Sequence, residues 1–158
     1  MTCRTFFSIP IIFLLLVSCG FKVVNQSDLA NFSISNINMN GEKRINYYLK
    51  NTLSFSAKNN KNVNPISLNI VSQKNKNIKE KNIKNEITKY ELVITIETKY
   101  FILDTNKKNT FYNTVKGNYN VATTYADTLK NEKNLINLLT EKVSSEITRK
   151  LATELNDI

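Results

Sequence analysis

The chain has 158 residues, with 22 Lys and Arg against 13 Asp and Glu for a formal net charge of +9, and no histidine. The missing imidazole removes Ser-His-Asp and Cys-His nucleophile systems and the commonest transition-metal ligand, so no metal site is expected. Its 3 glycines, Gly20, Gly41 and Gly117, are too scattered to cradle a phosphate, and the composition suits one binding or structural domain without a cofactor better than an enzyme.

Met1 to Thr5 carries one positive charge, and Phe6 to Val17 is almost wholly apolar. At about a dozen residues the apolar run is too short for a spanning helix and fits a signal-peptide core. Leu16-Val17-Ser18-Cys19 closes it with the pattern of a bacterial lipoprotein box. The pattern predicts a signal peptide over residues 1–18 and a thiol of Cys19 alkylated by diacylglycerol. An N-acyl chain of palmitate type then joins the new amino group. Several chains, at about 0.8 kcal/mol per buried CH₂, anchor far more firmly than one. Gly20 rather than Asp follows, so the expected address is the periplasmic face of the cell outer membrane. The bland alternative is an ordinary leader with a chance Cys, or an uncleaved anchor.

Residues 19–31 read as a lipid-anchored tether and 32–158 as one domain. Phe32 to Ile37 alternates as an edge strand, and Asn38 to Gly41 has turn chemistry with Asn40 as a candidate cap. Ile45, Tyr48, Leu49, Thr52 and Leu53 fall on one helical stripe from Glu42 to near Ala57. Ile66, Leu68 and Ile70 mark a second strand. Gln73 to Glu86, rich in lysine and without apolar period, reads as a solvated loop. Thr88 to Leu103 and Thr110 to Ala126 form a long hairpin. Tyr90, Leu92, Ile94, Ile96, Tyr100 and Ile102 line one side of its first strand. Phe111, Val115, Gly117, Tyr119, Val121 and Tyr125 line one side of its second. A helix from about Leu129 to Leu155 carries Leu135, Ile136, Leu138, Leu139, Val143, Ile147, Leu151 and Leu155. The expected fold is α+β, in the order β-α-β-β-β-α. Two helices pack on one face of a four-stranded mixed sheet, the first two strands parallel through a crossover.

In this order the elements resemble the LPS-assembly lipoprotein family LptE. The likeness rests on Cys19-Gly20-Phe21 after the box, the β-α-β start, the basic segment, the hairpin, Tyr125-Ala126, and Ile147-Thr148-Arg149-Lys150-Leu151. It covers essentially the whole chain after residue 18 and is densest from Tyr90 to Leu151. Only Lys22 stands where the family often has several basic residues. The resemblance implies a plug inside the lumen of the outer-membrane β-barrel LptD. It implies a role in assembling that barrel and in moving lipopolysaccharide to the outer leaflet. A hairpin with a polar outer face suits a polar lumen. The resemblance also implies lipopolysaccharide-binding cations before the hairpin and before the last helix. The nearest residues are Lys84 and Lys130, each about a residue out of register, with Lys79 or Lys81 as substitutes. Lysine would act there as a point charge; the bland reading of each is a solvated surface lysine. For Tyr112 and Tyr119 the bland reading is sheet packing.

A Lys/Asn/Ile skew arises equally from an AT-rich genome or from selection for an anionic partner. A second reading is therefore a periplasmic lipoprotein that binds an anionic glycan or lipid through its lysine-rich loop, without a barrel. An enzyme using Glu91 and Glu97 is disfavoured, because six residues along one strand face separate them by about 20 Å. Nucleic acid is excluded as a partner by the exported address.

Overall fold

A computed structural model describes residues 32–56 and 64–156. The expected leader, Cys19 and the tether lie outside them. The described elements are β1 (Phe32–Gly41), α1 (Lys43–Ser56), β2 (Asn64–Lys81), β3 (Ile87–Ile102), β4 (Lys108–Asn120) and α2 (Tyr125–Asn156). The sheet order is β1-β2-β3-β4. β1 runs parallel to β2, while β3 is antiparallel to both β2 and β4. The architecture is thus the expected one, two helices with a four-stranded mixed sheet.

The strict alternation of β3 explains the layering. Leu92, Ile94, Ile96, Thr98, Tyr100 and Ile102 are buried, while Glu91, Thr95, Glu97 and Lys99 fall on the other side. From β2 come Ile66, Leu68 and Ile70, from β4 Phe111, Val115 and Tyr119. Ile45, Leu49 and Leu53 of α1, with Ile136, Leu139, Val143, Ile147, Leu151 and Leu155 of α2, complete a single core. Small side chains Thr140, Ser144 and Thr148 are also buried in α2. All three bond back to their own helix, Thr140 to the Ile136 carbonyl at 2.7 Å, Ser144 to the Glu141 carbonyl at 2.9 Å and Thr148 to the Ser144 carbonyl at 3.0 Å. Each of these three hydroxyls therefore enters the core already satisfied.

Several boundaries differ from expectation. Asn38 to Gly41 is strand, not turn, and the cap of α1 comes from β2. Ser72 Oγ accepts from the Glu42 N–H at 2.9 Å and donates to Asn46 Oδ1 at 2.7 Å. The bend between β1 and α1 needs Gly41, whose φ is +101° and whose notional Cβ would lie 2.0 Å from the Ser72 carbonyl oxygen. At the other end β4 stops at Asn120 and α2 starts at Tyr125. Val121 and Tyr125 are exposed and do not extend the buried face of β4. The Thr124 side chain stops the strand by capping α2, accepting from the Asp127 N–H at 3.1 Å. Leu138 and Tyr48 also leave the expected apolar stripes for the surface.

The largest correction concerns Gln73 to Glu86, expected as a loop. β2 continues through Lys81, paired with β3 from Ile66↔Ile102 to Lys81↔Ile87. The main chain supplies the ladder bonds whatever its side chains are, and β3 is a long template, with register shifts only at Ile78/Glu80 and Glu80/Lys81. A tight turn then reverses the chain. Asn82 Oδ1 accepts from the N–H groups of Lys84 and Glu86 at 2.9 and 3.0 Å, and Asn85 takes φ 64°, a conformation asparagine tolerates. Since β1 ends at Gly41↔Ser72, about nine residues of β2, roughly 30 Å of strand, run past it.

Candidate functional site

That overhang, the end of β4 and the start of α2 meet at one pole. On the helix side of β2, the buried series Ile66, Leu68, Ile70, Ser72 continues with Lys74 and Lys76. Burial alone would disfavour the Lys76 ammonium. Hydrogen bonds with Glu132 and the Tyr119 phenol outweigh it and hold the amine well above the usual lysine range. Lys76 Nζ donates to Glu132 Oε2 at 2.7 Å, Lys74 Nζ lies 3.8 Å from Glu132 Oε1, and the Tyr119 hydroxyl donates to Glu132 at 2.8 Å. For Glu132, partial burial works against ionisation. The Lys76 and Tyr119 hydrogen bonds prevail and keep the carboxyl below its ordinary value. Lys76 also lies over the rings of Tyr90 at 4.3 Å and Tyr119 at 5.4 Å. These rings are themselves stacked at 5.6 Å. Two ammonium groups around one carboxylate leave a net positive cluster.

Beside it opens a cleft of about 360 Å³, with Ile87, Tyr90, Val121, Tyr125 and Leu129 as apolar walls and Lys76 and Glu132 at the polar end. Its size lies at the low end for ligand sites, roughly 300–1,000 Å³. Apolar surface is also exposed around it, at Ile78, Ile83, Val121, Tyr125 and Leu129. The arrangement suits an amphiphile with an apolar portion and a negatively charged head.

The chain matches no protein-family profile and no curated protein. Solved structures do resemble it. The rare lipoprotein B of Shewanella oneidensis matches with a TM-score of 0.59 at 15% identity, over 77% of this chain and 97% of that one. The lipoprotein B of Nitrosomonas europaea matches with a TM-score of 0.58 at 15% identity, over 84% and 90%. A minor lipoprotein of Acinetobacter baumannii matches with a TM-score of 0.50 at 15% identity, over 75% and 93%. What is shared is the fold.

The lysines singled out from the sequence all lie toward this pole, but not in one cluster. Lys79 is engaged by Glu91 at 3.1 Å. Lys81 donates to Asn85 Oδ1 at 2.9 Å, Lys84 belongs to the turn, and Lys130 is exposed on the second turn of α2. Lys76, at the polar end of the cleft, and Lys74, which joins it at Glu132, were not anticipated. Their signal was parity, since 66, 68, 70, 72, 74 and 76 share one side of an unbroken strand. Tyr119 is in the sheet core, whereas Tyr112 is exposed and donates to Glu97 at 3.2 Å. Glu97 is further held by Lys99 at 2.9 Å, and that hydrogen bond lowers its carboxyl below the ordinary value. Glu91 and Glu97 each serve a separate ion pair.

Proposed function

We propose that the protein is an outer-membrane lipoprotein of LPS-assembly type, acylated at Cys19. In this reading it plugs the β-barrel LptD, assists its assembly, and aids passage of lipopolysaccharide to the outer leaflet. It has no enzymatic role. The lipobox and the fold held in common with solved lipoproteins support the class. The observation that carries the reading is polarity along the molecule. The chain leading from Cys19 enters at Phe32, paired with Asn64 at the start of β2. The lysine-rich overhang and the apolar cleft lie at the far end of β2, an 18-residue strand of roughly 60 Å. An anchor at one pole leaves the amphiphile-compatible pole well clear of the leaflet that holds the acyl chains. The outer face of the hairpin carries Tyr112, Thr114, Lys116, Asn118 and Asn120, all exposed, as a surface against a hydrated lumen requires.

Depleting the protein from its host tests this. Misfolded LptD and loss of surface lipopolysaccharide are expected. The basic overhang of β2 on its own favours the second reading, binding of an anionic glycan or lipid without a barrel. That reading predicts a fully assembled barrel after depletion.

A further inference from the structure

β4 has no strand of the described residues on its outer side. Edges of this kind are normally blunted by bulges, prolines, inward charges or brevity. The β1 edge has such a device, a register shift between Ile34 and Asn36. β4 has none. It is 13 residues long, pairs with β3 without a shift from Lys89↔Asn120 to Phe101↔Lys108, contains no proline, and has only Lys108 and Lys116 as charges. Main-chain groups of alternate residues therefore face outward; Asn109 Oδ1 takes the Thr110 N–H at 2.8 Å and Asn131 donates to the Asn120 carbonyl at 3.1 Å, which leaves the stretch from Tyr112 to Asn118, roughly 20 Å, for pairing.

Two hollows flank this edge where α2 overhangs it. One, of about 480 Å³, is lined by Tyr119, Asn131, Leu135 and Leu138, and Leu138 is 62% exposed. The other, of about 440 Å³, is lined by Asn113, Glu146, Arg149, Lys150, Thr153 and Glu154, and Glu154 is taken up by the Tyr100 hydroxyl at 2.7 Å and the Asn109 amide at 3.0 Å. Glu146 is engaged by Asn113 at 3.4 Å and the Lys150 ammonium lies over Phe111 at 4.6 Å. The Asn113 Oδ1 is buried without a partner among the described residues, and the Arg149 guanidinium is exposed. Tyr119 and Asn113 lie on the same side of β4, six residues apart.

We propose that the β4 edge captures an extended polypeptide segment as a fifth, antiparallel strand. The segment places an apolar side chain against Leu135 and Leu138, and a carboxylate six residues later against Arg149. Main-chain pairing supplies affinity, and alternate side chains supply specificity. Even spacing is required because only every second side chain faces the groove. A second copy of the chain fits poorly. In the register that fills both hollows, Asn113 would meet the apolar hollow, Tyr119 would meet Arg149, and the two Lys116 residues would oppose each other. The inference is independent of the pole that carries the cleft.

The test uses the full chain in detergent and a blocked ten-residue peptide of alternating threonine and valine, with leucine at its second position and aspartate at its eighth. A control peptide has the aspartate at its seventh position. The first peptide should shift and protect the β4 amides in NMR and bind about tenfold more tightly than the control. Arg149→Glu should abolish that preference, and a peptide with lysine in place of aspartate should restore binding to the variant. Equal binding of the two peptides, or unshifted β4 amides at millimolar peptide, would overturn the proposal. So would β4 amides already protected in a dimer of the chain alone.

Discussion

Lys76 Nζ and Glu132 Oε2, 56 residues apart in sequence, lie 2.7 Å from each other and tie the overhang of β2 to the second turn of α2. This pair makes the pole a fixed surface. Removing Glu132 leaves Lys74 and Lys76 facing each other and the Tyr119 hydroxyl without its acceptor.

The Glu132→Gln variant should lose about 1–2 kcal/mol at neutral pH, measured by urea unfolding. The Glu132 carboxyl sits lower in the folded than in the unfolded chain. Its contribution is therefore full above the unfolded value near 4.5 and is lost as the pH falls through the folded value. The gap between the two proteins should close in acid. A gap that does not narrow as the pH falls below 4.5 would contradict the ionic role.

Thr98 is fully buried in β3, and its hydroxyl has no partner among the described residues. A valine keeps the shape and removes the unsatisfied oxygen, so Thr98→Val should stabilise by about 1 kcal/mol. A lower melting temperature for the variant would show that the hydroxyl is satisfied in solution.

The junction of β1, α1 and β2 is the most exacting backbone site. Gly41→Ala combines a positive φ with a clash against the Ser72 carbonyl, and should cost about 3 kcal/mol or more. Ser72→Ala removes the cap of α1 alone and should cost about 1 kcal/mol. Equal melting temperatures for the two variants would argue against this geometry.

At the pole that carries the cleft, lysine charges and apolar cleft walls should separate experimentally. Replacing Lys79, Lys81, Lys84 and Lys130 together by Gln should weaken lipopolysaccharide binding mainly at low salt, since exposed charges are screened. Leu129→Asp puts a carboxylate into the cleft wall and should weaken binding about tenfold at any salt, with little change in stability because Leu129 is already 45% exposed. Binding indifferent to Leu129→Asp would remove the cleft from the account.

Much of the fold was readable because β3, α1 and α2 bury one clean face each. The period alone places Leu92, Ile94 and Ile96, or Leu49 and Leu53. What escaped was strand formed without an apolar face. Lys74 and Lys76 pair with Ile94 and Leu92, and it is the partner strand, not their own side chains, that makes them β. The same cause hid the site, since a lysine that bonds Glu132 across the tertiary structure looks in sequence like any other solvated lysine. Val121 and Tyr125 kept the alternation of β4 beyond its end because a period cannot register the Thr124 cap that turns the chain into α2. The expected leader rests on the spacing of an apolar run to Cys19 rather than on periodicity, and it lies outside the described residues.

The central claim is a membrane-anchored plug in a barrel, and isolation from native outer membranes under mild detergent tests it most directly. With the anchor intact, the account predicts a stable one-to-one complex with a β-barrel several times the protein's size. Recovery of the protein solely as a free monomer, from membranes in which the barrel is present and folded, would contradict it.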